Sequence, residues 1–340
     1  MSKESIREAS FWSKLDGDVQ CVLCHQQCRI HPGKRGLCGV RENQDGRLMT
    51  LVYGNLVAAN VDPVEKKPFF HFLPGSIAYS IATAGCNFRC LHCQNFTISQ
   101  LPRDHGGRVE GEELPCRKVV DLAAHYGCAS ISYTYTEPTV FLEYAYDTAR
   151  LAKERGLKNN FVTNGYMTVA ALETIRPYLD AANVDLKGFH EERHWRRTGA
   201  SIDPVKRNIR LMNTMGIWVE VTTLVIPTEN DSDEELRGIA EFLASVDAGI
   251  PWHVSAFHPT YKMTNLPRTP VSTILRACKI GKDAGLRYVY GGNIPGEECE
   301  NTHCYSCGAI LLKRLGFEVL ENNLRNGKCP KCGAKIDGVF

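Results

Sequence analysis

The segment that decides the fold is residues 81–93, which read IATAGCNFRCLHC. It opens with apolar and β-branched residues, which predict a buried strand that breaks at Gly85. Cys86, Cys90 and Cys93 follow directly in the spacing Cys-x3-Cys-x2-Cys. Three thiolates on one tight loop can bind three irons of a cubane cluster. The fourth iron is then open to a chelating small molecule that offers an amine and a carboxylate.

Zinc is the main alternative for this loop. A structural zinc ion is normally closed by four protein ligands, and His92 would have to be the fourth. Three adjacent thiolates and a histidine would be cramped on so short a loop. Core cysteines that bind nothing are a further alternative. We interpret the three cysteines as the ligands of a site-differentiated [4Fe–4S] cluster.

Outward from this loop, strand patterns alternate with helix patterns. Such alternation predicts an α/β fold with a parallel sheet and right-handed crossovers. Six or seven units fit a partial (β/α)6-type TIM barrel, in which chemistry gathers at the C-terminal ends of the strands. The predicted strands are Ile77–Ala84, Ser130–Tyr135, Asn160–Thr163, Ala182–Leu186, Trp218–Ile226, His253–Phe257 and Tyr288–Tyr290.

Two helix starts carry recognisable signals. Asp203 and Pro204 predict an N-cap followed by proline at the first helical position. Ser232 and Glu235 have the spacing of a capping box. These signals place helices between the predicted strands.

The C-terminal segment contains Cys304, Cys307, Cys329 and Cys332 as two Cys-x2-Cys pairs, separated by 21 residues. Two such pairs at this distance are typical of a zinc ribbon. A tetrahedral zinc ion would stabilise a tail that is too short for its own hydrophobic core. We predict structural zinc here, and a second iron–sulfur cluster is the alternative.

A third group, Cys21, Cys24, Cys28 and Cys38, lies in a segment rich in Gly, Arg and His. Its four thiols could close around zinc or hold an auxiliary [4Fe–4S] cluster. We favour a structural metal, with zinc narrowly ahead of iron, and unpaired thiols are the alternative. Two spare ligands lie nearby, His25 and His31.

The cysteine groups suggest three parts. These are an N-terminal four-cysteine module over residues 1–70, a barrel over residues 71–295 and a zinc-ribbon-like tail over residues 296–340. Four cysteines lie outside the groups. We predict that the first three are buried apolar residues, and the fourth is a weak candidate for a spare ligand. They are Cys116, Cys128, Cys278 and Cys299.

The composition indicates a globular protein, since 43% of the 340 residues are hydrophobic. Lys and Arg total 40 against 38 Asp and Glu, so there is no basic field to recruit nucleic acid. The N-terminus is polar, without the apolar region of a signal peptide, and no apolar run approaches the length of a membrane-spanning helix. We expect a cytoplasmic protein with no membrane partner. Its 15 cysteines would stay reduced there, which favours metal binding over disulfides.

The loop with Cys86, Cys90 and Cys93 after a first barrel strand resembles the signature of the radical S-adenosylmethionine (SAM) superfamily. The resemblance implies that SAM chelates the open iron. One electron from the cluster then cleaves SAM to methionine and a 5′-deoxyadenosyl radical, which abstracts hydrogen from a substrate. It also implies an electron donor such as flavodoxin or ferredoxin. His92 would help to pack the adenine, and a loop histidine facing solvent is the alternative.

Motifs at two further strand ends resemble those of glycyl-radical enzyme activases in this superfamily. The resemblance implies that Glu137 receives the methionine ammonium in a charge-assisted hydrogen bond. The alternative is an acid that stabilises a helix N-terminus. Thr163 and Asn164 resemble the start of a Thr-Asn-Gly turn near SAM, although Val162 stands where many activases carry Asp.

The later strand ends carry further candidates. Asp185 and Lys187 resemble the Asp-Leu-Lys motif of the same group, and Lys187 could meet a SAM carboxylate or ribose. An ordinary Asp–Lys surface pair is the alternative. His258 matches a histidine near SAM in the activases, and its alternative is a histidine that is hydrogen-bonded for structure only.

Nearly the whole chain resembles the radical SAM protein of the AmmeMemoRadiSam system. This resemblance implies partners of the AMMECR and Memo families and supplies no substrate. The likeness is carried by the cluster loop, residues 135–138, the terminal ribbon and three N-terminal stretches. These stretches are GLCGVREN at residues 36–43, VDPVEKKP at residues 61–68 and HFLPGS at residues 71–76.

Two alternatives remain for the function. A glycyl-radical enzyme activase shares the core motifs, although the zinc-ribbon tail departs from the usual short activases. A non-catalytic zinc protein that binds nucleic acid or protein would need basic patches with exposed aromatics. The candidate basic stretches are residues 194–197 and Lys34, Arg35 and Arg41, and we interpret them as solvent-exposed faces. Nucleic acid is therefore an unlikely partner.

Overall fold

The computed structural model describes residues 5–340. They form two units, and each is described by itself. Unit 1 holds residues 5–62, 77–180 and 197–200, and unit 2 holds residues 63–76, 181–196 and 201–340. The three-part division suggested by the sequence follows the cysteine groups rather than these units and stays a prediction.

The N-terminal part of unit 1 is built from short antiparallel strands in two three-stranded sheets, in the orders β1-β6-β5 and β2-β3-β4. Asp45 and Gly46 join β5 to β6 with φ angles of 53° and 78°, which are those of a two-residue hairpin turn. This turn sets the register of the hairpin that follows Cys38. The strands are β1 Arg7–Glu8, β2 Trp12–Leu15, β3 Asp18–Cys21, β4 Arg29–Ile30, β5 Arg41–Gln44 and β6 Arg47–Thr50.

The rest of unit 1 has a parallel core, in which β10 pairs with β8 on one side and β11 on the other. These strands are almost entirely buried, and small polar residues such as Ser80, Ser130 and Ser132 lie among their apolar ones. The elements are β7 Asn55–Pro63, β8 Ile77–Thr83, α1 Phe96–Ser99, α2 Leu101–Asp104, β9 Glu112–Glu113, α3 Cys116–His125, β10 Ser130–Tyr133, α4 Leu142–Glu154, β11 Lys158–Thr163 and α5 Val169–Ile175.

Unit 2 contains four parallel strands in the order β12-β13-β14-β15, followed by a small antiparallel sheet in the order β16-β17-β18. Helices connect the parallel strands, as crossovers between parallel strands require. The elements are β12 Ala181–Asp185, α6 Glu191–Thr198, α7 Asp203–Thr214, β13 Trp218–Val225, α8 Asp233–Val246, β14 Trp252–Ala256, α9 Val271–Asp283, β15 Val289–Gly292, β16 Thr302–His303, β17 Ile310–Leu315 and β18 Glu318–Asn322.

The predicted alternation of strands and helices is confirmed, and the ends of the seven strands shift by one or two residues at most. Strand β10 ends early because Tyr135 has a φ of 61°, which a strand cannot contain. The N-cap of α7 is Ile202 rather than the predicted Asp203, which is the first helical residue. The closure of the strands into a partial barrel stays a prediction.

The predicted capping box is present in part. Ser232 caps α8 and accepts a hydrogen bond from the Glu235 N–H at 3.3 Å. The Glu235 carboxylate instead accepts the N–H of Phe189 at 2.5 Å, so it is used by the chain after β12. Within residues 5–340, the helices are too short or too polar to cross a membrane.

Candidate functional site

The loop after β8 carries the three central cysteines, and glycine is needed at its start. Gly85 has a φ of 96°, in the region that favours glycine. A Cβ atom at this position would lie 2.7 Å from Val40 Cγ1 and 2.8 Å from the Cys38 carbonyl oxygen. The cluster loop therefore packs directly on the backbone of the N-terminal segment.

The sulfur atoms of this loop are widely spread. Around a single zinc ion with bonds of about 2.3 Å, tetrahedral thiolates lie about 3.8 Å from one another. Among residues 5–340, no three ligand atoms of Cys86, Cys90, Cys93 and His92 lie within 4.8 Å of one another. In a cubane cluster each thiolate binds a different corner iron, and the sulfurs are farther apart. The loop fits the cluster and does not fit one zinc ion.

Polar groups approach Cys86 from two sides. The Phe88 N–H donates to Cys86 Sγ at 3.4 Å, and Asn164 Nδ2 lies 3.9 Å from the same sulfur. Burial and the nearby Glu137 carboxyl raise the pKa of the Cys86 thiol well above its ordinary value. Iron binding would supply the charge that favours the thiolate, since metal binding is coupled to loss of the thiol proton.

Glu137 lies beyond the end of β10 and is buried. Its Oε1 accepts hydrogen bonds from the N–H and hydroxyl of Thr139, at 3.1 and 2.5 Å, and from the Thr163 hydroxyl at 2.7 Å. Its Oε2 accepts the Asn164 N–H at 2.8 Å and keeps room for a second donor. Burial raises the pKa of Glu137, although its hydrogen-bond donors act to lower it. A positively charged ligand ammonium would stabilise the ionised carboxylate at this buried position.

The alternative role of Glu137 is also present, since the carboxylate caps the short 3-10 helix that starts at Pro138. Thr163 and Asn164 end β11 and are buried beside it. Asn164 Nδ2 donates to Asn87 Oδ1 at 2.7 Å, which ties this strand end to the cluster loop. The structure thus gathers the predicted contacts of unit 1 around Cys86.

His92 precedes the last cysteine of the loop and is 3% exposed. The alternative of a loop histidine that faces solvent is therefore wrong. Its contact with adenine stays a prediction.

Unit 2 carries the remaining predicted SAM contacts. Lys187 Nζ lies 2.7 Å from Asp185 Oδ2 at the end of β12, so the Asp–Lys pair that was the alternative is present. The Lys187 side chain is 16% exposed, which is less than an ordinary surface pair would show. His258 follows β14 and is exposed. The contacts of all three residues with SAM stay predictions.

The four C-terminal cysteines form a compact group. Cys304 Sγ lies 3.6 Å from Cys332 Sγ, and Cys307 Sγ lies 3.7 Å from Cys329 Sγ. All four sulfurs lie within 4.8 Å of one another, which is the arrangement of tetrahedral zinc. Burial alone would raise the pKa of Cys329, but backbone N–H groups and neighbouring thiols lower it to about 7.

The tail does not have a separate hydrophobic core. Cys304 and Cys329 pack with Phe70, Tyr288 and Tyr290 in one buried cluster of unit 2. Apolar residues outside the tail therefore hold the compact group in place. This agrees with the prediction that the tail is too short for a hydrophobic core of its own.

The four N-terminal cysteines line a cavity in unit 1. His31, one of the two spare ligands, places Nδ1 2.7 Å from Asp18 Oδ1 and is engaged there. The other spare ligand, His25, makes an edge-to-face contact with Tyr166, with the ring centroids 5.6 Å apart. The cysteines are Cys21, Cys24, Cys28 and Cys38.

The cysteines outside the three groups behave largely as expected. Cys116, Cys128 and Cys278 are buried, which confirms the prediction. Within residues 5–340, Cys299 belongs to no group of metal-ligand atoms. A hydrogen bond with Cys278 lowers the pKa of Cys299 instead.

Two functional neighbours were not identified from the sequence. The sequence alone gives no role to Asn87, and it favours a solvent-exposed position for Arg41 within a basic stretch. Both are buried, at 2% and 1% exposure, and Arg41 forms an ion pair with Glu143. Arg197, in the other basic stretch, is also 1% exposed, so neither stretch is a fully solvated face. The partners of Arg41 and Asn87 are Glu143 and Asn164, which lie far away in the sequence, so no local pattern reveals these contacts.

A family model described as the radical SAM superfamily matches residues 80–243. The chain therefore contains a radical SAM domain. An uncharacterised protein of Methanocaldococcus jannaschii is 43% identical over 98% of this chain and 100% of its own length. A putative glycyl-radical enzyme activating enzyme of the same organism is 24% identical, over 62% of this chain and 77% of that protein.

Solved structures share the fold of this radical SAM enzyme. Streptococcus suis SuiB bound to S-adenosylmethionine has a TM-score of 0.51 and 14% identity, covering 68% of this chain and 53% of SuiB. A radical SAM methyltransferase from Sphaerobacter thermophilus has a TM-score of 0.50 and 16% identity, covering 65% of this chain and 68% of that protein. The radical SAM match contains the cluster loop and leaves both flanking cysteine groups outside.

Proposed function

We propose that Cys86, Cys90 and Cys93 hold a [4Fe–4S] cluster whose open iron binds SAM, and that this radical SAM enzyme abstracts hydrogen from a substrate. The observation that carries this proposal is the position of the three cysteines on the loop after β8, within the residues that match the radical SAM model. When bound, the cluster supplies the electron that cleaves SAM to methionine and a 5′-deoxyadenosyl radical.

The protein's own residues bind and orient SAM. Glu137 offers the second acceptor position of its Oε2 to the methionine ammonium, while Thr163 and Asn164 hold the carboxylate in position. His92 lies in the buried loop, where it can pack against the adenine. Asp185, Lys187 and His258 are the further candidates for contacts with SAM.

A single substitution tests this proposal. Cys90→Ala should reduce 5′-deoxyadenosine formation to the level of an enzyme-free sample, because the cluster loses one of its three ligands. The assay uses anaerobically reconstituted protein with dithionite and SAM. Cys128→Ala is the matched control, since Cys128 is also buried and lies outside the groups, and it should cleave SAM like the wild type. Undiminished SAM cleavage by a folded Cys90→Ala variant would disprove the assignment.

We propose that the compact C-terminal group binds structural zinc. The support is its sulfur–sulfur distances of 3.6 and 3.7 Å, which match the spacing of about 3.8 Å around tetrahedral zinc. The sulfurs are too close together for a cubane cluster with one iron at each cysteine.

We propose that proteins of the AMMECR and Memo families are partners, together with a flavodoxin or ferredoxin as electron donor. The support is the resemblance of the chain to the radical SAM protein of the AmmeMemoRadiSam system. Mixing the reconstituted enzyme with one AMMECR-family and one Memo-family protein should give co-elution in size-exclusion chromatography. Independent elution of all three proteins under reducing, anaerobic conditions would count against these partners.

A glycyl-radical enzyme activase is the second candidate. It is favoured by the 24% identity to a putative glycyl-radical enzyme activating enzyme. An activase would remove the α-hydrogen of a glycine in a partner protein. The enzyme, SAM and a glycyl-radical enzyme from the same genome should then give the electron paramagnetic resonance (EPR) doublet of a glycyl radical. SAM cleavage without this signal would remove the candidate.

A further inference from the structure

The N-terminal cysteines are fixed to rigid backbone. The Cys21 N–H donates to the Cys28 carbonyl at 2.9 Å, beside the antiparallel pairing of β3 with β4. Cys24 forms a β-bridge with Met167. The Cys38 carbonyl packs against Gly85. Because each sulfur is carried by a different anchored segment, their separation is built into the fold.

That separation is wider than zinc requires. Among residues 5–340, no three of the four N-terminal sulfurs lie within 4.8 Å of one another, although the C-terminal four all do. The N-terminal cysteines instead line a cavity whose other walls include Leu23, Ile30 and Val140. The pattern is the one seen for the central loop, where a cubane cluster fits and a single ion does not.

Hydrogen-bond donors are directed at these sulfurs. The Leu37 N–H donates to Cys28 Sγ at 3.5 Å, and Arg41 Nη1 lies 3.7 Å from Cys21 Sγ. Such donors stabilise the negative charge that thiolates bring to a metal centre. Zinc and an iron–sulfur cluster would share this benefit, so the donors indicate a metal centre and the spacing decides which one.

We propose that Cys21, Cys24, Cys28 and Cys38 hold a second [4Fe–4S] cluster, closed by four thiolates, rather than zinc. The site lies outside the residues that match the radical SAM family. With four protein ligands, this cluster has no open iron and does not bind SAM.

Asn87 connects this site to the central cysteine loop. If that loop holds the SAM-binding cluster, as the proposed function has it, the two clusters are neighbours. Asn87 Oδ1 lies 3.8 Å from Cys86 Sγ and accepts the Asn164 amide. Its backbone carbonyl accepts Gln26 Nε2 at 3.0 Å, two residues from Cys24. Its side chain lies on the wall of the N-terminal cavity and hydrogen-bonds to Cys24. One side chain therefore contacts the surroundings of both clusters.

The test removes the central cluster and asks whether iron remains. In the full-length variant with Cys86→Ala, Cys90→Ala and Cys93→Ala, anaerobic reconstitution with iron and sulfide should leave about four irons and four sulfides per chain. EPR of the dithionite-reduced sample should show a cluster that is unchanged by SAM. No iron in the folded triple variant would overturn the second cluster.

The metal content of the wild type provides a second measurement, which also serves if the triple variant does not fold. We expect about eight irons and one zinc per chain. About four irons in a wild type that cleaves SAM would overturn the proposal, whether the N-terminal group then holds zinc or nothing. A triple variant with about four irons, beside a wild type that does not cleave SAM, would reject the proposed function and leave the second cluster standing.

Discussion

The N-terminal and C-terminal segments each gather four cysteines, but at different spacings. In the tail, two equal turns carry the sulfurs, and in each turn a glycine N–H, of Gly308 or Gly333, donates to the backbone carbonyl of Cys304 or Cys329 at 2.9 Å. All four sulfurs come within 4.8 Å there, whereas no three of the N-terminal sulfurs do so within residues 5–340. We infer that the backbone that carries the cysteines, rather than their number, selects the kind of metal centre.

The largest expected effect is the complete loss of one metal without the other. Cys304→Ser should abolish zinc binding and leave the iron content unchanged, because the two centres share no ligand. Elemental analysis of iron and zinc in the same sample checks this. Cys278→Ser, a buried cysteine of the same unit, is the control and should keep both metals. Loss of iron together with zinc would mean that the tail group is not an independent zinc site.

Arg41→Met should cause the next largest loss, of about 3–5 kcal/mol in the free energy of unfolding. Arg41 and Glu143 form a buried ion pair, and the substitution leaves the carboxylate without its cation. Denaturant unfolding of the apoprotein measures the loss. The control is Arg150→Met, which breaks an exposed pair with Glu154 and should cost about 0.5 kcal/mol or less. Equal costs for both variants would contradict the role given to Arg41.

Gly85→Ala tests the contact between the N-terminal group and the cluster loop. Its cost should exceed that of Gly127→Ala by about 1–3 kcal/mol, because the new Cβ meets the Cys38 backbone. Gly127 is a matched control, since its φ of 68° is also positive and open space surrounds it. Thermal unfolding of both variants measures the difference. An equal loss of stability at both positions would show that the cluster loop does not pack tightly against the backbone of Cys38.

Glu220→Gln tests the surroundings of the compact group and should cost about 2 kcal/mol. Glu220 is buried and accepts the N–H groups of Phe70 and His71, together with His253 Nε2 at 2.7 Å. The amide of glutamine would place a donor against these donors. Phe70 packs against the cysteines of the tail, so this loss should affect the tail first.

This effect should depend on pH. Burial alone would raise the pKa of Glu220, but His253, His71 and the Phe70 N–H hold it below its ordinary value of 4.5. The folded-state pKa is therefore lower than the unfolded one, and the carboxylate stabilises the fold above pH 4.5. The difference between wild type and variant should shrink as the pH falls through the lowered pKa. A difference in unfolding free energy that is constant from pH 7 to acid would contradict this.

Much of the fold could be predicted because the buried strands are short segments rich in apolar, β-branched and aromatic residues, separated by helix patterns. The cysteine spacing likewise identified the three groups, since ligands on one loop are close in sequence. The sequence could not show how far apart the sulfurs stand, because the anchors of the N-terminal group, such as Met167 and Gly85, lie far along the chain. The roles of Arg41 and Asn87 were missed for the same reason.

Anomalous diffraction from anaerobically grown crystals tests the central claim most directly. Data collected on both sides of the iron and zinc absorption edges locate each metal. We predict iron beside Cys86, Cys90 and Cys93, iron in the N-terminal cavity, and zinc alone at the C-terminal group. Zinc in the N-terminal cavity, or iron at the tail, would contradict the conclusion that sulfur spacing selects the metal centre.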